Sequence, residues 1–146
     1  FNIRFIGIMN DVDRSIDPFD LALRRRFKWI PMFCNYKVIK TELIKSGFDN
    51  DKVDEYVESC EKLNKYICTD TNGLVLGKNY EIGHAFFLKI KIVTDRDEKK
   101  ISKDEKKIVF DHFILGTLQE YIRQIADENE VESYVTKARE AFGIKP

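Results

Sequence analysis

The 146-residue chain lacks the marks of several common classes of protein. It has no G-x-x-x-x-G-K-[ST] phosphate loop and no apolar strand that ends in Asp-Glu, so we expect the chain alone to hydrolyse no nucleotide. Its three cysteines are odd in number and lack C-x-x-C spacing, which argues against a disulfide scaffold and a structural zinc site. We therefore expect Cys34, Cys60 and Cys68 to be reduced and mostly buried thiols.

The chain also lacks an excess of charge of either sign. Lysine and arginine number 25, as do aspartate and glutamate, so the net charge of +0 gives no overall attraction to nucleic acid or to an anionic membrane. No stretch approaches the ~20 apolar residues that a membrane span needs, and no signal segment opens the chain. The sequence thus predicts a cytoplasmic protein without membrane contact, in which any nucleic-acid contact is local.

Two apolar segments in the first 33 residues predict strands. Residues 3–9 are apolar on nearly every position, which is typical of a strand covered on both faces of a mostly parallel sheet, and residues 27–30 predict a second strand. Between them, residues 17–26 predict a short helix that starts Asp-Pro and ends in arginines. Two strands are too few for such a sheet, and the chain opens on Phe1, so we expect a piece of a longer protein.

From Asn35 onward the pattern predicts helices. Asn35 and Asn50 are the expected N-caps of two amphipathic helices, the first of which ends at Gly47. Residues 87–93 fit a strand and a helix equally well, and the charged residues 95–107 predict a solvated connection that leads into a helix. Two apolar stripes predict two final helices that pack on the first two: Ile108, Leu115, Leu118, Tyr121, Ile122 and Ile125, then Val131, Tyr134, Val135, Ala138 and Phe142.

The segment Gly-Leu-Val-Leu-Gly-Lys-Asn at residues 73–79 has the look of a phosphate loop. A phosphate loop needs four residues between its glycines and a Ser or Thr after the Lys, whereas this segment has three residues and an Asn. The different spacing changes which backbone N–H groups converge, so turn residues are the better interpretation.

Polar side chains at the ends of the first predicted elements suggest phosphate chemistry. Asn10 directly follows the first strand, where ligands gather in open α/β sheets, and an Asn there can orient a water. Arg25 and Arg26 end the short helix, from which they can reach a phosphate held by an adjacent subunit. Each residue alone has an ordinary explanation, as a turn residue or as a cation at the negative end of a helix dipole. Their combination favours nucleotide chemistry.

The order of these motifs resembles the McrB family of AAA+ GTPases, the motor subunits of modified-cytosine-specific restriction systems. The matching segments are M-N-D-V-D-R-S-I-D at residues 9–17 and A-L-R-R-R-F at residues 22–27. L-G-K-N-Y-E-I-G-H-A-F-F at residues 76–87 resembles the lid segment of the family, and residues 108–121 resemble the helix that follows it. The resemblance implies an α+β, mainly helical piece: residues 1–33 as the end of the AAA+ α/β core, with two strands and a short helix, and residues 34–146 as the all-helical lid.

The resemblance also implies roles for five residues of the first segment. Asn10 matches the sensor-1 Asn, which orients the attacking water or the terminal phosphate. Asp13 and Arg14 match an Asp-Arg pair beside the nucleotide. Arg25 and Arg26 match the arginine-finger region that faces the neighbouring subunit, and the sequence does not choose between them.

In the lid, Gly83 and His84 lie where related ring ATPases contact the nucleotide, although the Arg usual at that place is absent. A buried His with satisfied nitrogens is the alternative for His84. The resemblance implies GTP or ATP with Mg in the intact protein, none of it held tightly by this piece, and no metal site within the chain. The implied partners are further copies in a ring, an McrC-like nuclease subunit, and DNA bound through regions outside this chain.

Two other functions stay open on the sequence. One is a related AAA+ ATPase that remodels protein complexes, because the residues do not determine which base is bound. The other is a helical interaction module without nucleotide chemistry, whose arginines form only a surface face.

Overall fold

The computed structural model describes residues 3–8, 25–95 and 99–144 of the chain. The chain divides into two units, Phe1–Met32 and Phe33–Pro146. The assignment of residues 1–33 to the end of an α/β core stays a prediction. The predicted helix over residues 17–26 falls almost wholly on residues 9–24, which lie outside the described residues.

In the first unit, the structure does not show the two predicted strands. Residues 3–8 and 27–30 carry no regular secondary structure, and their side chains are exposed, with Ile8 at 99%. A strand is stable only when its backbone N–H and C=O groups pair with a neighbouring strand and its apolar faces are covered. Among the residues that the structure describes, none supplies such a neighbour to these segments.

The second unit is helical over the part of it that the structure describes. A 3₁₀ turn at Lys78–Tyr80 precedes two short helices, and a π-helical turn at Phe110–Ile114 joins two longer ones. The α-helices are α1 (Tyr36–Lys45), α2 (Asn50–Cys68), α3 (His84–Phe87), α4 (Ile90–Val93), α5 (Lys103–Val109), α6 (Leu115–Ile122) and α7 (Glu128–Ala141). The predicted lid is therefore mainly helical, and residues 87–93, which the sequence left open, are mostly helical.

Capping side chains begin the first two helices. The Asn35 side chain accepts a hydrogen bond from the Val38 N–H at 3.2 Å, which confirms the predicted cap of α1. The predicted cap of α2 is wrong by one residue. Asp49, with extended backbone, accepts from the Lys52 N–H at 3.1 Å, and Asn50 is the first helical residue. Asp and Asn cap equally well, so the backbone conformation decides between such neighbours.

Helix α5 begins at Lys103, within the charged segment 95–107, which agrees with the predicted lead into a helix. Ser102 and Glu105 form a capping box, in which the Ser102 side chain accepts from the Asp104 N–H at 3.1 Å and the Glu105 carboxylate accepts from the Ser102 N–H at 2.7 Å. Two backbone donors that the helix leaves unpaired are satisfied in this way.

Helix α7 packs on α2, which confirms that prediction for the terminal helix. The Tyr66 hydroxyl of α2 donates to the Tyr134 carbonyl of α7 at 3.1 Å. The ring of Phe142, directly after α7, lies edge-on to Tyr56 of α2 at 5.9 Å and near Phe110 at 6.1 Å. Helix α6 packs on α7, so one apolar core joins the four longest helices.

The apolar stripe predicted over residues 108–125 is partly wrong, because a π-helical turn interrupts it and α6 ends at Ile122, before Ile125. Ile108 and Ile125 are 40% and 49% exposed instead of buried. In a regular α-helix, residues four apart are offset by about 40° around the axis, and the wider π turn changes this offset where it lies. The buried positions consequently follow a four-residue step: Phe110, Ile114, Leu118 and Ile122.

The cysteines of the second unit are free thiols, as expected. Cys60 and Cys68 are buried and Cys34 is half-buried. Burial raises the pKa of the Cys34 and Cys68 thiols to about 12, with the Glu81 carboxylate adding to both shifts, and burial also raises the pKa of Cys60 well above its usual value.

Candidate functional site

The predicted site residues of the first unit are only partly described. Asn10, Asp13 and Arg14 lie outside the described residues. Arg25 and Arg26 lie in a turn, and both are exposed to solvent. Their position leaves both guanidinium groups accessible, and the role that the sequence assigns to this cluster stays a prediction.

Gly83 and His84 lie together in the second unit, where the chain enters α3. His84 is half-buried, and its Nδ1 accepts a hydrogen bond from the Asn35 N–H at 3.4 Å. The sequence left two alternatives for this residue, and the structure shows a partly exposed ring with one nitrogen used inside the lid. Gly83 has a φ of −69°, which any residue adopts, and a Cβ atom built on it would meet nothing within 4 Å. The lid therefore gives no steric reason for a glycine at this position.

Asn64 of α2 fixes the segment that leads to Gly83. Asn64 is 2% exposed, and its Oδ1 accepts a hydrogen bond from the Ile82 N–H at 2.7 Å. Its Nδ2 donates to the Ile82 carbonyl and to the Tyr36 hydroxyl, both at 3.0 Å. A buried amide with all these partners holds its neighbours in one arrangement, because each lost bond would leave a buried polar group unpaired. The sequence analysis missed this residue, although an Asn within an apolar helical stripe was a detectable signal.

The Glu81 carboxylate lies next to the backbone just before α1. Its carboxylate accepts a hydrogen bond from the Cys34 N–H at 2.9 Å. A carboxylate near the N-terminal end of a helix is stabilised by the helix dipole, and a charged acceptor strengthens the bond. The sequence analysis did not single out Glu81 within the lid motif.

Two aromatic contacts anchor the 3₁₀ turn before Glu81. The Lys78 ammonium lies 4.6 Å from the centroid of the Phe33 ring. The Tyr80 ring packs edge-on against Tyr121 at 5.0 Å, and its hydroxyl donates to the Gln124 side chain at 3.1 Å. The 3₁₀ turn thereby contacts Phe33, just before α1, on one side and α6 on the other.

Residues 73–77 close the C-terminal end of α2. The N–H groups of Leu74, Leu76 and Gly77 donate to the last carbonyls of that helix at 2.9–3.1 Å. These donors are used inside the lid and do not converge on a phosphate. The structure thus confirms that the glycine-rich segment is turn structure.

The model of the McrB alpha-helical lid domain matches residues 55–129, which is half of the chain. The chain belongs to the McrB family. It is also 33% identical over 94 residues to the Type IV methyl-directed restriction enzyme EcoKMcrB subunit of Escherichia coli K12, an alignment that covers 59% of this chain. The chain spans about a fifth of the length of that relative, since 19% of the relative is aligned. No solved structure matches the chain.

The McrB lid match separates the candidate residues into two groups. Asn64, Glu81, Gly83 and His84 fall within residues 55–129, together with the loop over the end of α2. The arginine cluster at residues 25 and 26 falls outside that range. The lid therefore shows the family. The structure describes the core packing of the lid and the hydrogen bonds of the buried Asn64.

The described part of this McrB family chain has neither a metal-binding cluster nor a membrane-spanning helix. Residues 3–8, 25–95 and 99–144 hold no group of three or more His, Cys, Asp or Glu side chains that could bind a metal ion. Over the same residues, no helix combines the length and the apolar character that crossing a membrane requires.

Proposed function

We propose that the chain is the C-terminal portion of an McrB-like AAA+ GTPase, which hydrolyses GTP with Mg as a ring and drives a restriction nuclease. The observation that carries this proposal is the McrB lid match over residues 55–129. The adjoining segments at residues 9–17 and 22–27 support it, because their order resembles the sensor-1 and arginine-finger regions of the same family.

Within this proposal, the first unit completes a core that is built mostly by the rest of the protein. The exposed apolar residues 3–8 and 27–30 pair with strands of that core, which covers their side chains. Asn10 orients the attacking water, and Asp13 and Arg14 stand beside the nucleotide. The chain alone turns over no nucleotide, because it lacks a phosphate loop.

The proposed partners follow from the relative in E. coli, which is a subunit of a methyl-directed restriction enzyme. We place the intact protein in the cytoplasm, as a ring of identical subunits with an McrC-like nuclease subunit. DNA contact belongs to regions outside this chain, since the net charge of +0 provides no general attraction to DNA.

Arginine substitutions in the intact protein test the proposed finger. Arg25→Ala or Arg26→Ala should lower kcat for GTP by about 10³ or more while nucleotide affinity stays within about twofold, because a finger stabilises charge that develops only in the transition state. Lys28→Ala is the matched control, since Lys28 is an exposed cation of the same segment. Unchanged turnover in both arginine variants would remove the finger from the proposal.

A mixing experiment tests whether the arginine acts across subunits. If Asn10 serves its own subunit and the arginine serves the neighbour, a mixture of the Asn10→Ala and arginine variants contains some subunit pairs with both groups intact. Such a mixture should regain turnover that neither variant has alone. Hydrolysis of ATP in preference to GTP would favour a remodelling ATPase, and the absence of all NTP turnover would favour an interaction module.

A further inference from the structure

The first four residues of the second unit, residues 33–36, are each held by a different side chain. We call them the entry segment. The Lys78 ammonium lies over the Phe33 ring at 4.6 Å, and Glu81 accepts from the Cys34 N–H at 2.9 Å. His84 accepts from the Asn35 N–H at 3.4 Å, and Asn64 donates to the Tyr36 hydroxyl at 3.0 Å. We call Lys78, Glu81, His84 and Asn64 the clamp.

The two segments run side by side in the same order. Lys78, Glu81 and His84 follow one another at three-residue steps, and their partners are three consecutive residues of the entry segment. Cys34 and Asn35 precede the first helical residue, so their N–H groups take no part in the hydrogen bonds of α1. The bonds from Glu81 and His84 therefore determine the backbone direction before the helix, which the helix itself does not determine.

Contacts with α2 and α6 hold the residues next to Glu81 and His84 of the clamp. Asn64 fixes Ile82 through two hydrogen bonds at 2.7 and 3.0 Å, and Ile82 lies between Glu81 and His84 in the chain. Tyr80 is fixed by its contact with Tyr121. The segment that carries Glu81 and His84 is thus held by contacts with α2 and α6.

We propose that Glu81 and His84 are positioning residues, which fix the direction in which the chain enters the lid and so set the lid for nucleotide turnover in the intact protein. The part of this inference that concerns turnover rests on the proposed function. Because Nδ1 of His84 accepts a hydrogen bond, Nε2 is the ring nitrogen that can donate one. The bond to Asn35 leaves the Nε2–H of this half-buried ring as the donor available to a ligand.

The positioning role is tested first on the 146-residue chain without nucleotide. Trp29 is its single tryptophan and precedes the entry segment by four residues, so fluorescence anisotropy of Trp29 reports the motion of the chain at that place. Glu81→Ala and His84→Ala should increase the fast loss of anisotropy. Glu81→Gln and His84→Asn keep an acceptor oxygen and should restore most of the original value.

Amide hydrogen exchange adds a residue-level measurement on the same variants. Glu81→Ala should speed exchange at the Cys34 amide roughly tenfold, the usual effect of losing one net hydrogen bond to a charged group, and His84→Ala should speed exchange at Asn35 less. The matched controls are Glu132→Ala and His112→Ala, because both residues are exposed and lie outside the clamp. Unchanged anisotropy and exchange in Glu81→Ala would overturn the clamp.

Kinetics of the intact protein test the link to turnover. A positioning residue should lower kcat about tenfold in Glu81→Ala with KM for GTP within about twofold, and Glu81→Gln should recover kcat. A raised KM with unchanged kcat would overturn the positioning role and show a nucleotide contact instead. Unchanged kcat together with faster exchange would limit Glu81 to local structure and would also overturn it.

These measurements separate the two proposals. If the intact wild-type protein turned over no nucleotide, the proposed function would fail, while the Trp29 and exchange results would still decide whether the clamp directs the entry segment. If the arginine variants behaved as expected and the clamp variants did not, only the positioning role would fail.

Discussion

Two glycines of the lid differ in what a side chain would meet. A Cβ on Gly73 would lie 2.0 Å from the Tyr66 carbonyl oxygen, where the loop passes close to the end of α2. A Cβ on Gly83 would meet nothing within 4 Å. The first glycine is therefore explained by packing inside the lid, whereas packing among the described residues does not explain the second.

Alanine substitutions at these two positions separate folding from function. Gly73→Ala should lower the free energy of unfolding by roughly 1–3 kcal/mol, because the loop has to move away from α2. Gly83→Ala should leave it unchanged within about 0.5 kcal/mol, as at other open positions. Urea unfolding of the 146-residue chain measures both.

The same Gly83→Ala change should raise KM for GTP in the intact protein if Gly83 faces the nucleotide, as its resemblance to related ring ATPases implies. A wild-type KM combined with wild-type stability would remove Gly83 from the binding site.

At the scale of single elements, helix α6 contains a glycine at a position where its backbone does not require one. Gly116 is exposed, lies in helical backbone after the π turn, and has nothing within 4 Å of a built Cβ. Gly143 follows α7 with a φ of +80°, in the left-handed region that favours glycine. Alanine substitutions at these two positions should therefore change the free energy of unfolding in opposite directions.

Gly116→Ala should raise the free energy of unfolding by about 0.5–1 kcal/mol, because alanine loses less backbone entropy in a helix. Gly143→Ala should lower it by about 1 kcal/mol, since alanine is strained at positive φ. Thermal unfolding of both variants checks the signs. A destabilised Gly116→Ala would mean that the π turn and α6 tolerate no added side chain there.

At the scale of the whole molecule, buried thiols link stability to pH. Burial raises the pKa of Cys34 and Cys68 to about 12 from an ordinary value of 9.0, and it raises the pKa of Cys60 as well. The unfolded chain therefore releases thiol protons at a lower pH than the folded chain. A group with a raised pKa in the folded state contributes stability that is complete below pH 9 and is lost toward pH 12.

The free energy of unfolding should accordingly fall between pH 9 and pH 12. Burial lowers the pKa of Lys106 and acts in the opposite direction, whereas burial raises the pKa of Tyr36, Tyr56, Tyr66 and Tyr121 and adds to the fall above pH 10. Urea unfolding at a series of pH values measures the slope, and Cys68→Ala should make it shallower. An equal slope in that variant would assign the pH dependence to other groups. At pH 8, the thiols should react slowly with iodoacetamide in the folded chain and faster in urea.

Most predictions that rest on local chemistry were confirmed, apart from the Asn50 cap, whereas those that depend on distant neighbours were not. The Asn35 cap and the helical character of α2 follow from short-range pattern, because capping and amphipathic spacing act within a few residues. The exposure of Ile108 and Ile125 was not predictable from apolar spacing alone, since a π turn interrupts the helix at Phe110–Ile114 and α6 ends before Ile125. The strands at residues 3–9 and 27–30 were predicted from composition, but a strand depends on partners that lie far away in sequence.

The sequence by itself determined the family, the helical lid and the absence of a phosphate loop. The order of the motifs, the spacing of apolar residues and the spacing of the glycines at residues 73 and 77 can all be read from the chain directly. Only the tertiary structure decided that Glu81, His84 and Asn64 meet the entry segment. These residues are separated from their partners by 28 to 49 positions, and no short-range pattern records which distant N–H group a carboxylate or an imidazole will accept from. Hydrogen bonds at that distance in sequence exist only once the core of α2, α6 and α7 has brought the two segments together.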